Sequence, residues 1–210
     1  MAEVSVLYFE RAEYAARMTA VKERMSAEGI DVLVVTEPPN MYYLTGYDAY
    51  SFYVAQAVVV VLDLELPIWT GRFMDAVTAH STTYLPSDHI VPYTDHYVQS
   101  TERHPMTFIG NLIADKGWGN ASIGVEMGAP YYSARSHSEL QKALPNARFR
   151  DAELLVNWVR IVKSEQELEY MRAAGETTDR MVAAAASAAH PDMRECDLAS
   201  AIVEVQLKGT

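Results

Sequence analysis

The sequence has a single cysteine, Cys196, which rules out an internal disulfide and is typical of a protein from a reducing compartment. It also lacks a long apolar run. The longest, Val54 to Leu62, contains Gln56 and falls far short of the roughly 20 residues that a membrane-spanning helix needs. The first residues carry no basic segment leading into an apolar core, which argues against a secretory signal. We therefore expect a cytoplasmic protein without membrane contact.

Three common catalytic signatures are also missing. The sequence contains no G-x-S-x-G, no P-loop and no G-x-G-x-x-G, which removes the commoner hydrolases, NTPases and dinucleotide-binding enzymes. Basic residues are few and dispersed: 17 Lys and Arg stand against 28 Asp and Glu, giving a net charge of −11. Because an acidic surface repels phosphate backbones, we expect no nucleic-acid partner.

The six histidines lack the spacing of a metal centre. Asp88-His89 and Asp95-His96 repeat a pair seven residues apart and His104 follows, but no H-E-x-x-H motif is present. A turn-rich surface segment would show the same pattern, so we predict no metal site in this chain. Cys196 lies in a helical pattern without an obvious activating base, which is typical of an inert side chain. Since no nucleophile, base and oxyanion donors can be assembled, we predict that residues 1–210 alone are inactive.

Aromatic residues are concentrated in one segment. Five tyrosines and one phenylalanine lie between Tyr42 and Phe52-Tyr53, directly before an apolar run. We interpret residues 40–53 as an aromatic loop that enters a buried strand. Such a loop can stack on a ring-shaped small molecule and donate hydroxyl hydrogen bonds at its edge. The same rings could instead cap a hydrophobic core, and composition alone favours that second interpretation.

Short apolar strands alternate with amphipathic helices, which predicts an α/β layer structure. The predicted strands are 31–36, 57–62, 68–70, 121–126 and 147–149, and the predicted helices are 10–28, 72–80, 108–117, 136–143 and 154–161. Ser164 and Glu167 then form a capping box for a long helix, and a further helix covers 194–208. The apolar faces of these last helices have no strands to cover. We therefore expect a second domain that begins near Ser164 and continues beyond Thr210.

Several short motifs follow one another in a characteristic order. They are N-x-x-Y-L-T-G at 40–46, Arg72 and Asp75 after the strand pair, Ile123 to Glu126, and Arg160 to Leu168 followed by Met171 to Ala174. This order resembles the amino-terminal domain of the creatinase/prolidase, or pita-bread, superfamily. The resemblance implies a mixed sheet flanked by helices, ribonuclease H-like, over residues 1–160, and the first helices of the pita-bread α+β catalytic domain over 161–210. The superfamily's catalytic and metal-binding residues lie in that carboxy-terminal domain, so the resemblance assigns none to this chain and leaves a divalent metal open for the remaining part.

Further stretches of the sequence carry a more specific resemblance. They are Leu44 to Asp48, Ser51 to Val54, Asp95 to Gln99, His104 to Met106, Gly117-Trp118, Ala147 to Phe149 and Leu155 to Trp158. These resemble the ectoine hydrolase group of the superfamily, which opens the cyclic amidine of ectoine to N-acetyl-diaminobutyrate in ectoine degradation. The resemblance implies an ectoine-like small-molecule substrate. An Xaa-Pro dipeptidase or aminopeptidase and a creatinase-type amidinohydrolase are the alternatives within the superfamily. A stand-alone α/β module that binds a ligand or a protein without catalysis is the alternative outside it.

The resemblance also implies a homodimer, in which each amino-terminal domain lies against the neighbour's catalytic domain and lends an aromatic loop to its active site. Phe52 falls at the aromatic position of that loop. Relatives that bind the carboxylate of creatine carry arginine two residues later, where this sequence has Val54. Creatine is therefore a poor candidate, and carboxylate recognition is left unassigned. The remaining candidate substrate contacts are Tyr47, Asp48, Tyr50 and Tyr53, each with a structural role as the alternative.

Overall fold

The computed structural model describes residues 7–209. These residues form two compact units, one extending to Ile161 and the other beginning at Val162. The first unit combines a five-stranded mixed sheet with helices, which confirms the predicted fold class. Among the described residues, no helix has both the length and the apolar character that a membrane crossing requires.

The strands of the first unit lie where the sequence predicts them, with ends that differ by at most two residues. They are β1 (Val32–Val35), β2 (Ala57–Val61), β3 (Ile68–Thr70), β4 (Ser122–Val125) and β5 (Arg148–Asp151). The helices of this unit are α1 (Arg11–Glu28), α2 (Pro38–Thr45), α3 (Ala76–Thr82), α4 (Pro105–Ile113), α5 (Ala134–Ala143) and α6 (Leu155–Arg160). A 3-10 turn over Phe73–Asp75 precedes α3, so the single helix predicted for 72–80 is divided in two.

The sheet has the strand order β3-β2-β1-β4-β5. β1 and β2 pair antiparallel, as do β2 and β3, whereas β4 pairs in parallel with both β1 and β5. Every residue of β1 and β2 is buried, as expected for strands that are covered on both faces. Successive side chains point to opposite faces, so Leu33 and Val35 join the core beneath α1, while Val32 and Val34 join the core beneath α4 and α5.

Residues 38–45 form a helix, whereas an aromatic loop was predicted over residues 40–53; that prediction was wrong for residues 40–45. Pro38 and Pro39 occupy the first two helical positions, where the amide that proline lacks would have no helical partner. Gly46 ends the helix with a φ of 80°, in the left-handed region that glycine adopts without strain. The aromatic loop therefore begins only at Tyr47.

The second unit consists of α7 (Glu165–Ala188) and α8 (Glu195–Lys208), which pack against each other. The capping box predicted for α7 is present. Ser164 Oγ accepts from the Glu167 amide at 3.2 Å, and the Glu167 carboxylate accepts from the Ser164 amide at 2.9 Å. None of the described residues of either helix is buried, so this pair of helices encloses no hydrophobic core of its own.

Candidate functional site

A cleft of about 310 Å³ lies in the first unit, at the edge of the sheet where β1 ends and β2 begins. Four segments line it: the β1–α2 connection, residues 51–56, residues 97–105 leading into α4, and residues 130–136 leading into α5. Ligand sites in α/β proteins are typically found at the carboxyl edge of parallel strands, and this volume suits a small molecule. The cleft is therefore the candidate functional site.

The aromatic loop beside the cleft is held in place by Gln56. The side-chain amide of Gln56 donates to the Tyr47 hydroxyl at 2.9 Å, and its oxygen accepts from the Ser51 amide at 3.1 Å. Ser51 Oγ in turn accepts from the Val54 amide at 3.2 Å, which closes a tight turn. Phe52 lies in this turn with 86% of its surface exposed. The loop thus presents an uncovered ring on a hydrogen-bonded frame.

Arg72 and Asp75 support the same loop. Both belong to the motifs that resemble the creatinase/prolidase superfamily. Asp75 accepts from Gln56 Nε2 at 2.7 Å, and Arg72 donates to the Tyr53 hydroxyl at 3.2 Å. Arg72 also makes two parallel bonds to the Asp95 carboxylate, at 2.8 and 2.9 Å. These bonds lower the pKa of Asp95 below its usual value. Arg72 is therefore already neutralised by a partner and serves to position the loop.

Two of the five predicted substrate contacts, Phe52 and Tyr53, line the cleft. Tyr50 does not line it directly. Its exposed ring makes an edge contact with Tyr131, which does line the cleft, at 6.5 Å between ring centroids.

The other two predicted contacts, Tyr47 and Asp48, lie outside the cleft lining. Tyr47 is only 1% exposed, and its ring packs against Trp69 at 5.2 Å between centroids. Burial also raises the pKa of the Tyr47 hydroxyl. Asp48 is exposed, and its amide donates to Thr82 Oγ1 at 3.3 Å. The structure thus places Tyr47 in the core, which is the structural alternative left open by the sequence.

The residues that line the cleft before α4 and α5 were not predicted as substrate contacts. Arg103, His104 and Arg135 are three of them. His104 Nδ1 accepts from the Met106 amide at 3.1 Å and so caps α4, which means that the neutral ring carries its proton on Nε2. Burial, followed by the charge of Arg135, lowers the pKa of His104 below 6.5, and the ring is therefore neutral near pH 7. The His-Pro pair, with proline in the first helical position, is the sequence signal that predicts such a cap.

Glu126, at the end of β4, is the most enclosed carboxylate near the cleft, with 1% of its surface exposed. One of its oxygens accepts from the amides of Thr36 and Glu37 at 2.6 and 2.8 Å, and the other accepts from Asn40 Nδ2 at 2.6 Å. Burial raises the pKa of Glu126, and these hydrogen bonds oppose the rise. Since Glu126 joins β4 to the β1–α2 connection, its role is structural.

Asn40 extends this network to α6. Its amide nitrogen also donates to Asn157 Oδ1 at 2.9 Å, and its oxygen accepts from Arg160 at 2.6 Å. Asn40 is completely buried, so each of these bonds replaces one that water would otherwise supply. The first residue of the N-x-x-Y-L-T-G motif thus connects α2, β4 and α6.

The two Asp-His pairs have separate structural partners. His89 Nδ1 lies 2.9 Å from the Pro67 carbonyl oxygen, and His96 Nδ1 lies 3.5 Å from Thr94 Oγ1. Within residues 7–209, no group of three His, Cys, Asp or Glu side chains is arranged to hold a metal ion.

Comparison with known proteins places the described geometry in a family context. The family model of the Creatinase/Prolidase N-terminal domain matches residues 17–162. The uncharacterized hydrolase/peptidase y4tM of Sinorhizobium fredii is 54% identical over 205 residues, which are 98% of this chain and 52% of that protein. The ectoine hydrolase of Halomonas elongata is 44% identical over 210 residues, which are 100% of this chain and 52% of that enzyme.

The chain therefore spans about half the length of the curated relatives it matches. Among solved structures, the dipeptidase PepE from Mycobacterium ulcerans superposes with a TM-score of 0.71 at 23% identity. The match covers 95% of this chain and 50% of that one, and it shows that the two share a fold.

Proposed function

The chain belongs to the creatinase/prolidase family, and from this premise we propose that it forms the amino-terminal part of an ectoine hydrolase. The observation that carries the proposal is the 44% identity with the ectoine hydrolase of Halomonas elongata, which continues over all 210 residues. The catalytic domain of the complete protein corresponds, in this proposal, to the half of that enzyme that lies outside the match. The reaction adds water to the amidine carbon and breaks one ring C–N bond, and the released nitrogen takes up a proton.

The cleft of this chain contributes a wall of the substrate pocket. Ectoine is a small ring with a delocalised amidine, and a ring of this kind stacks on an aromatic face. Phe52 offers such a face, because it is exposed while Gln56 and Ser51 fix the turn that carries it. The base and the groups that stabilise the tetrahedral carbon belong to the other domain. This chain orients the ring and excludes water.

The proposal includes a homodimer. Phe73, Met74 and Val77 lie close together in sequence and are 67%, 59% and 72% exposed, an unusual concentration of uncovered apolar side chains. They follow directly after Arg72, which is bonded to the Tyr53 hydroxyl in the aromatic loop. We assign this surface to the contact with the second subunit, next to the loop that enters its active site. The single cysteine fits a cytoplasmic location for the dimer.

Proton NMR of ectoine incubated with the complete protein tests the proposal. We expect ring opening by the complete protein, and none by residues 1–210 alone at the same concentration. A complete protein that leaves ectoine unchanged would contradict the proposed substrate. Ring opening by residues 1–210 alone would contradict the assignment of catalysis to the other domain.

A further inference from the structure

Charge is distributed unevenly between the cleft and the rest of the chain. The chain carries 28 Asp and Glu against 17 Lys and Arg, yet none of the twenty described residues that line the cleft is acidic. The ionisable side chains with a cationic form in this lining are Arg103, His104 and Arg135. A positively charged cleft in an acidic protein attracts small anions and repels small cations.

In the described residues, the side chains of the two lining arginines are not bound to a carboxylate. The carboxylate of Glu139 on α5 acts electrostatically on Arg135 and His104, and it is itself paired with Lys142 at 2.9 Å. Within residues 7–209, neither Arg103 nor Arg135 makes an ion pair or a side-chain hydrogen bond, in contrast to Arg72, which is bound to Asp95. A guanidinium with five unused donors matches a carboxylate, which accepts two of them in parallel. Both arginines are exposed to solvent at the cleft, so a ligand can reach them.

The positions of these cations in the chain add a second argument. Arg135 is the second residue of α5, and Arg103 lies two residues before the first residue of α4. The amino-terminal end of a helix carries a partial positive charge, so a cation is unfavourable there and an anion is favourable. His104 adds a neutral donor at Nε2, since its Nδ1 is occupied by the Met106 amide. A bound anion would therefore be favoured by the arginines and by the amino-terminal ends of α4 and α5.

We infer that Arg103 and Arg135 bind the carboxylate of the substrate and determine its specificity, while the aromatic loop holds the ring. This inference rests on the proposed function, because it assigns the carboxylate of ectoine. The relatives that bind creatine carry a carboxylate-binding arginine two residues after the aromatic position, whereas this chain has the uncharged Val54 there. Arg103 and Arg135 supply the missing positive charge in this inference. In this cleft the cations lie on the segments that lead into α4 and α5.

Binding to the complete protein tests this inference without requiring turnover. The probes are ectoine and its carboxamide, which has the same ring but no negative charge, and affinity is measured by calorimetry. The variants are Arg103→Gln, Arg135→Gln and the double substitution. Arg150→Gln is the matched control, since Arg150 is exposed on β5 and lies outside the cleft lining.

We expect the wild-type protein to prefer ectoine over the carboxamide by about a hundredfold, because each of the two arginines contributes about tenfold through charge-assisted hydrogen bonds. Each single variant should lower the affinity for ectoine by about tenfold while leaving the affinity for the carboxamide nearly unchanged. The double variant should show no preference, and Arg150→Gln should behave as the wild type. In steady-state kinetics the same variants should raise KM much more than they lower kcat.

The outcomes separate this inference from the proposed function. A double variant that keeps the wild-type preference for ectoine overturns the inference, even if ectoine is the substrate. Equal loss of affinity for both probes would indicate a structural role for the arginines and would also overturn it. A charge preference that depends on the two arginines in a protein that fails to open ectoine would refute the proposed function and leave the carboxylate site standing. Failure of the wild-type protein to bind either probe overturns the inference.

Discussion

Glu126→Gln is the substitution that most sharply tests the network behind the cleft. It keeps the size of the side chain but replaces one of two acceptor oxygens with an NH2 donor. Glu126 is the acceptor in each of its hydrogen bonds: one oxygen accepts from the amides of Thr36 and Glu37 and from the Thr36 hydroxyl, and the other accepts from Asn40 Nδ2. Because only 1% of the Glu126 surface is exposed, no water can satisfy a donor that loses its acceptor there.

The expected magnitude follows from the two arrangements open to the variant. If the glutamine oxygen stays with the backbone amides, the new NH2 faces the Asn40 amide nitrogen. If Asn40 turns to accept from it, the Asn40 nitrogen then faces Arg160, which now donates to the Asn40 oxygen at 2.6 Å. One buried donor is left unsatisfied in either case, and the remaining bonds lose their charge. We expect the free energy of unfolding to fall by about 2–4 kcal/mol.

Urea denaturation followed by tryptophan fluorescence measures this change in the first unit, because all three tryptophans, Trp69, Trp118 and Trp158, lie within it. Glu153→Gln makes the same chemical change at an exposed position and should shift the free energy of unfolding by no more than about 0.5 kcal/mol. A Glu126→Gln protein as stable as this control would refute the view that Glu126 holds β4, α2 and α6 together.

Three further substitutions test the loop, the cap and the exposed surface. Phe52→Ala in the complete protein should raise KM or lower kcat for ectoine by about three- to tenfold through lost stacking. Because Phe52 is 86% exposed, the free energy of unfolding of the variant should equal that of the wild type. Unaltered kinetics would show that Phe52 is not part of the pocket. His104→Asn keeps a cap acceptor without a titrating ring. Burial lowers the pKa of folded His104 below 6.5. The contribution of the neutral ring to the free energy of unfolding is therefore complete above pH 6.5 and is lost as the pH falls through the lowered pKa. Denaturation measured from about pH 8 to about pH 5 should therefore show the wild type losing stability relative to His104→Asn, and parallel curves would be the contrary result. Val77→Glu should convert the proposed dimer of the complete protein to monomers in light scattering without unfolding them, whereas an intact dimer would exclude this surface as the interface.

Most elements of the fold were predictable because each has a local signal. The runs that became β1 and β2 are continuous and apolar, as strands buried on both faces must be. The capping box before α7 depends on two residues three positions apart, so it too was visible in the sequence. The α2 helix was missed, although Pro38 and Pro39 occupy its first two positions. Proline ends a preceding strand and also fits the first turn of a helix, and only the packing of the following residues distinguishes the two outcomes.

The candidate site was only half predictable. The aromatic half is continuous in sequence, so Phe52 and Tyr53 were identified. Their neighbour Tyr47 points into the core instead. The clustering of aromatic residues in sequence does not show which side chains face the cleft. The cationic half comes from residues 50 to 80 positions further along the chain. Arg103 and Arg135 stand in no shared motif, and they line the same cleft only because α4 and α5 pack side by side beneath the sheet.

Competition among substrates tests the proposed function most directly. The complete protein is added to one mixture of ectoine, a Gly-Pro dipeptide and creatine at equal concentrations, and proton NMR follows all three. We expect ectoine to disappear as N-acetyl-diaminobutyrate accumulates, while the dipeptide and creatine persist. Cleavage of the dipeptide or of creatine with ectoine left intact would contradict the proposal.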